Sequence, residues 1–190
     1  MKKPIVALVY DFDGTLSPGN MQEFGFIQAI GQTPSEFWTK SDQIAIGQDA
    51  SNVLAYMKLM YDEAKKNGIR LTRDGFRKFG ADIKLYDGVR EWFRNVDAYG
   101  KEHGVIIEHY INSSGLTEII EGSPIAKEFK HIFAGSYIYD ENGEAEWPGI
   151  AVDFTAKTQY LFKIQKGIFS SRDAQKVNES MADEAKRIPF

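Results

Sequence analysis

Two acids one residue apart, Asp11 and Asp13, stand at the end of a short apolar run and directly before Gly14. Strand residues two apart share a face, so this spacing sets two carboxylates side by side. Like charges at that distance need a cation, a shared proton or a turn between them. The first option points to Mg²⁺, which prefers hard oxygen ligands. The plain structural alternative makes Asp13-Gly14 a turn and Asp11 a cap.

Three further sites carry chemistry-bearing side chains. Ser113-Ser114-Gly115 follows an apolar stretch and reads as a strand-to-helix turn. Such a turn offers hydroxyls and free backbone N–H groups at a helix start, an arrangement suited to anions. Asn112 is a neighbouring candidate ligand or simply a strand-end residue. Lys157 shares a helical face with Leu161, Ile164 and Ile168, which puts a cation on an inward stripe near the helix start. Lys163 and Lys166 are weaker substitutes, and a snorkelling surface lysine is the alternative for Lys157. His103, His109 and His131 show no ligand spacing and read as structural.

The elements that must position these residues follow from hydrophobic period. Pro4 to Tyr10 is a short apolar run, the mark of a strand buried on both faces of a parallel sheet. Ligands of open α/β sheets bind at the carboxyl ends of such strands, where Asp11 and Asp13 stand. From Met21 to about Phe79 the periods are helical. Helices are expected over Met21–Ile30, from Pro34 with Thr33 as cap, over Ser51–Asn67, and over Thr72–Phe79. Val53, Leu54, Met57, Met60, Tyr61 and Ala64 form the apolar face of the third, with the methionines as core.

Asp87-Gly88 caps a helix whose apolar face is Val89, Trp92, Phe93, Val96 and Tyr99. Gly104–Asn112 is a strand, Gly115–Ile120 a helix and His131–Tyr139 a strand. Asp140–Gly143 is a hairpin turn, and Pro148 puts the returning strand, Ala145 to Val152, at a peripheral edge. Thr155 caps a helix over Ala156–Lys166, and a last helix runs from Ser170 to about Lys186. Strands alternating with helices predict an α/β fold with a parallel sheet.

Composition narrows the function classes. The chain has 190 residues and a formal net charge of −4, which supports neither nucleic-acid nor anionic-membrane binding. It has no cysteine, so disulfides and thiolate metal sites are excluded. No run approaches the ~18 apolar residues of a membrane span, and the N-terminus does not resemble a signal peptide. A cytoplasmic protein is expected.

Asp11-Phe12-Asp13-Gly14-Thr15-Leu16 after a strand resembles the first signature of the haloacid dehalogenase-like superfamily of aspartate-nucleophile phosphatases. The resemblance implies a Rossmann-like core over residues 1–16 and 85–190, with a helical cap inserted over residues 17–84. Leu85-Tyr86-Asp87-Gly88-Val89 resembles the return from cap to core. Ser113 matches the phosphate-binding residue of the second signature, with Ser114 as the one-residue alternative and Gly115 beside it. Lys157 resembles the third signature.

The implied function is a Mg²⁺-dependent phosphomonoester hydrolase acting on a small phosphorylated substrate. Asp11 would be nucleophile and metal ligand, and Asp13 acid/base and metal ligand. Lys40, Lys58 and Lys65 leave a phosphonate hydrolase open, and a phosphotransferase is a further option. Cap aromatics Phe24, Phe26, Phe37, Trp38 and Tyr56 read as core rather than as pocket lining.

The fourth signature, whose acids complete the metal site, has no match before Phe190; Asp153, Asp173 and Asp183 do not fit it. The expectation is a truncated chain lacking its last core strand, with self-association through an unpaired sheet edge. Impaired turnover with retained phosphate or partner binding is the alternative outcome.

Overall fold

The computed structural model describes residues 3–178. A four-stranded sheet, in the order β1-β2-β3-β4, carries the molecule. Strands β1 (Ile5–Tyr10) and β2 (Ile106–Leu116) are parallel, as are β2 and β3 (His131–Tyr139). β4 (Ala145–Ile150) returns antiparallel on β3. Among the described residues β1 pairs on one side only, so the strand expected to be buried on both faces is an edge strand. Ala7 and Val9 pack against a cluster around Tyr110, Phe133 and Tyr160, and Tyr10 against the main core. Both faces are covered, but the open side leaves Val6 42% exposed.

Residues 17–84 are helical wherever they are regular. One turn of 3-10 helix (Met21–Glu23) and α1 (Phe26–Ala29) replace the single helix expected over Met21–Ile30. α2 (Pro34–Gln48) starts as predicted, with Thr33 Oγ1 accepting from Glu36 N–H. α3 (Asn52–Lys66) buries Val53, Met57, Met60 and Ala64, but Leu54 is exposed. α4 (Arg73–Ala81) closes the block. Its two ends lie side by side, Tyr86 N–H donating to Leu16 O at 3.1 Å.

Beyond the block come α5 (Val89–Glu102), α6 (Thr117–Gly122) and α7 (Ala156–Lys166). Gly88 rather than Asp87 occupies the cap of α5, and Trp92 and Tyr99 face solvent while Val89 and Phe93 are buried. Ser171–Asn178 forms 3-10 turns; the rest of the helix expected to Lys186, with Asp183, lies outside the described residues. Among the described residues no helix is long and apolar enough to cross a membrane.

The block is fastened to the sheet through backbone contact. α4 and α6 cross at Gly80 and Gly122: a Cβ on Gly80 would lie 2.0 Å from Ile119 O, and one on Gly122 1.9 Å from Arg77 O. Around this crossing Arg73 pairs with the buried Glu118, and Arg77 with Glu121. Tyr139 Oη donates to Glu118 Oε1 at 2.8 Å.

The β3–β4 hairpin is terminal in the sheet but not peripheral to the fold. Ala145 N–H donates to Leu71 O at 2.7 Å, and Arg70 pairs with Glu144. Pro148 is tolerated because β4 has a free side.

Since a methyl group at the crossing must push two backbones apart, Gly80→Ala and Gly122→Ala should each cost about 1–3 kcal/mol. Gly47→Ala, in α2 with nothing within 4 Å, should be neutral or mildly stabilising. Urea unfolding of the three variants decides the matter. Wild-type stability in Gly122→Ala would contradict the contact.

Candidate active site

The loop after β1 folds tightly: Leu16 and Ser17 N–H both donate to Phe12 O, and Gly14 N–H to Ser17 O. This turn separates the environments of the two acids. Asp11 stays accessible, its side chain 43% exposed. Its Oδ1 accepts from Phe12 N–H at 2.8 Å and its Oδ2 from Lys157 Nζ at 2.7 Å. Asp13 turns inward, and its Oδ1 accepts from Met21 N–H at 3.0 Å.

Burial pushes the Asp13 carboxyl up from 3.8 to about 7. The Met21 N–H opposes that rise, the charges of Asp11 and Glu23 add to it, and Lys157 offsets part of it.

Lys157 arrives from the start of α7. Thr155 was expected to cap that helix, but Asp153 does so, its Oδ1 accepting from Ala156 N–H at 2.8 Å and from Thr155 Oγ1 at 3.0 Å. Asn112 Nδ2 donates to Lys157 O at 2.8 Å, tying this helix start to the end of β2. Asn112 is therefore a positioning residue for Lys157.

Ser113, Ser114 and Gly115 are not a strand-to-helix turn. β2 runs on through them to Leu116 with a register shift against β3, and α6 begins only at Thr117. Nor is the Gly115 N–H free, since it donates to Ser113 Oγ at 3.1 Å. A Cβ at Gly115 would lie 2.0 Å from Met21 Cε and 3.4 Å from Asp13 Oδ2, so only glycine lets these groups meet. Ser113 is almost wholly buried, and its hydroxyl hydrogen remains to be donated. Ser114 O accepts from Tyr56 Oη at 2.7 Å, which joins α3 to the strand end.

One cleft of about 350 Å³ gathers Asp11, Asp13, Ser113, Ser114 and Lys157. The helical block supplies Gln22, Trp38, Asp42 and Tyr56 to the same cleft. Phe26, Phe37 and Tyr56 are core as expected, and Tyr56 together with the partly buried Trp38 also reaches the cleft. Sequence reasoning missed Met21, Gln22, Asp42 and Asp153. Only Asp153 carried a local signal, an acid three residues before the first helical N–H.

Two acids with Lys157 beside them offer a hard cation one or two carboxylates, a donor set that suits Mg²⁺ when phosphate and water complete it. Among the described residues no third acid or histidine joins them.

No protein-family model matches the chain. An uncharacterized protein of Borreliella burgdorferi is 26% identical over 217 aligned positions, covering all of this chain and 73% of that protein. A phosphoserine phosphohydrolase-like protein from Francisella tularensis superposes with a TM-score of 0.55 at 21% identity, over 84% of this chain and 73% of its own. A phosphoserine phosphatase in complex with its substrate gives 0.58 at 17% identity, over 93% and 80%. A hydrolase of the haloacid dehalogenase (HAD) family from Salmonella enterica serovar Typhi gives 0.60 at 13% identity, over 90% of this chain and 55% of that one. The fold is haloacid dehalogenase-like.

In the absence of divalent cations, Asp13 couples folding to pH. The unfolded chain ionises this acid near 3.8 and the folded chain near 7. Between these values the unfolded state releases its proton first, so stability falls as pH rises through the window and levels off above it. Asp13→Asn should abolish that fall. Urea midpoints in a chelator across the window test it; an unchanged pH slope in the variant would refute the assignment to Asp13.

Proposed function

We propose that this chain is a phosphomonoester hydrolase that works through an aspartyl-phosphate on Asp11. The observation carrying this reading is the Lys157–Asp11 pair, which spans 146 positions of sequence and sits in one cleft with Ser113. The fold shared with phosphoserine phosphatases supports it, as does the closeness of Leu16 and Tyr86, which fits a cap over residues 17–84 inserted into a core of residues 1–16 and 85–190.

A carboxylate oxygen of Asp11 attacks phosphorus, forming the P–O bond to the enzyme while the bond to the leaving oxygen breaks. Asp13 donates its proton to that oxygen, a role its raised affinity for the proton suits. Asp13 then takes a proton from water, which attacks phosphorus, releases orthophosphate and restores Asp11. Ser113 donates its hydroxyl to a phosphoryl oxygen, and Lys157 balances charge on the transferred group. Mg²⁺, held by an Asp11 carboxylate oxygen, the backbone carbonyl of Asp13 and phosphate oxygens, would supply further charge neutralisation.

Turnover of p-nitrophenyl phosphate with Mg²⁺ tests the reading. Asp13→Asn should lower kcat by about 10²–10⁴, and Asp11→Asn should remove activity. Full activity in Asp11→Asn would overturn the nucleophile. Tight orthophosphate binding without turnover of any phosphomonoester would select a binding role instead.

A further inference from the structure

The part of the cleft lined by the helical block has a chemistry of its own. Among the described residues lining the cleft Lys157 is the one cation, and it is already engaged with Asp11. From the helical block Asp42 lines the cleft with no hydrogen-bond or ion-pair partner among the described residues. Gln22, only 1% exposed, lines it as well, and its Oε1 has no donor.

An unpaired buried amide oxygen costs about 1–3 kcal/mol, a cost relieved when a ligand brings the donor. Trp38 and Tyr56 form a corner, their ring centroids 6.0 Å apart at 72°. Their polar ends are already used: Trp38 Nε1 donates to Glu23 Oε1 at 2.8 Å, and Tyr56 Oη donates to Ser114 O. What remains for a ligand is ring surface, which attracts cations.

Resting on the hydrolase reading above, we propose that the leaving group is a small amino alcohol, so that the substrate is a phosphomonoester bearing an ammonium group and no carboxylate. The ammonium end meets the Asp42 carboxylate, the Gln22 Oε1 and the rings of Trp38 and Tyr56. The phosphoryl end meets Lys157 and Ser113. A carboxylate on the leaving group would meet Asp42 with no cation to offset it, which sets this chain apart from an enzyme for phosphoserine. The cleft, about 350 Å³, lies at the small end of ligand sites and suits a leaving group of this size.

The test compares kcat/KM of the full chain with Mg²⁺ on phosphocholine, phosphoethanolamine, phosphoserine, glycerol 3-phosphate and p-nitrophenyl phosphate. An amino-alcohol phosphate should exceed phosphoserine and glycerol 3-phosphate by about tenfold or more, the factor that ~1.4 kcal/mol supplies. In Asp42→Asn, the ratio of amino-alcohol to aryl phosphate turnover should fall by a similar factor. Aryl phosphate turnover with phosphoserine or glycerol 3-phosphate as good as the amino-alcohol esters overturns this inference and leaves the hydrolase reading standing.

No turnover of any compound overturns the hydrolase reading, and calorimetric binding then decides the inference. Phosphocholine or phosphoethanolamine binding more tightly than orthophosphate, with the advantage lost in Asp42→Asn, upholds it. Equal binding refutes it.

Discussion

Two carboxylates at one strand end cannot both be held dry and ionised, and the site is built around keeping their situations different. The loop closed by Phe12 O leaves Asp11 at the surface with a lysine on one oxygen. The same loop turns Asp13 inward against the Met21 N–H and the charges of Asp11 and Glu23. The inward acid is pushed up, to about 7, which lets it hold a proton close to neutrality. Lys157 depends in turn on Asp153, which caps its helix, and on Asn112, which grips its carbonyl. The proposed chemistry therefore draws on three separate chain segments that meet only in the fold.

Legibility in the sequence followed the range of the interactions. Helix α2 was readable because Thr33, Pro34 and Glu36 make their start signal within four residues. The candidate residues Asp11, Asp13, Ser113 and Lys157 were readable because strand ends and helix starts are local patterns, and because a known signature resembles them. The end of β2 was misread. A Ser-Ser-Gly sequence suggests a turn, but the strand runs on through it and pairing to β3 resumes at Leu116, whose N–H donates to Met21 Sδ. β1, read as buried on both faces, packs on both but stays half-buried, because an apolar run says nothing about how many neighbours a strand pairs with. Met21, Gln22 and Asp42 left no trace, since each matters only through what lies across the cleft.

Sheet and helical block are continuous in packing. One apolar core runs from Phe12 through Met57 and Phe76 to Tyr137. Tyr137 Oη donates to Met57 O at 2.5 Å, and Tyr56 Oη to Ser114 O. Adjacent residues of α3 thus bond to two different strands of the sheet, one of them beside the phosphoryl site. These hydroxyls fix α3, which lines the cleft with Tyr56, against the strand that carries Ser113 and Ser114.

The meeting of Gly80 with Gly122 has a consequence for how selectivity can change. Backbone in contact with backbone anchors α4, and α4 lends no residue to the cleft. Trp38, Asp42 and Tyr56 belong to α2 and α3. Under the proposed reading, attachment and discrimination fall to different helices of one block. Substitutions that retune the proposed leaving-group contacts would then be free of the crossing that holds the block down, so specificity could drift while the anchorage stays constant.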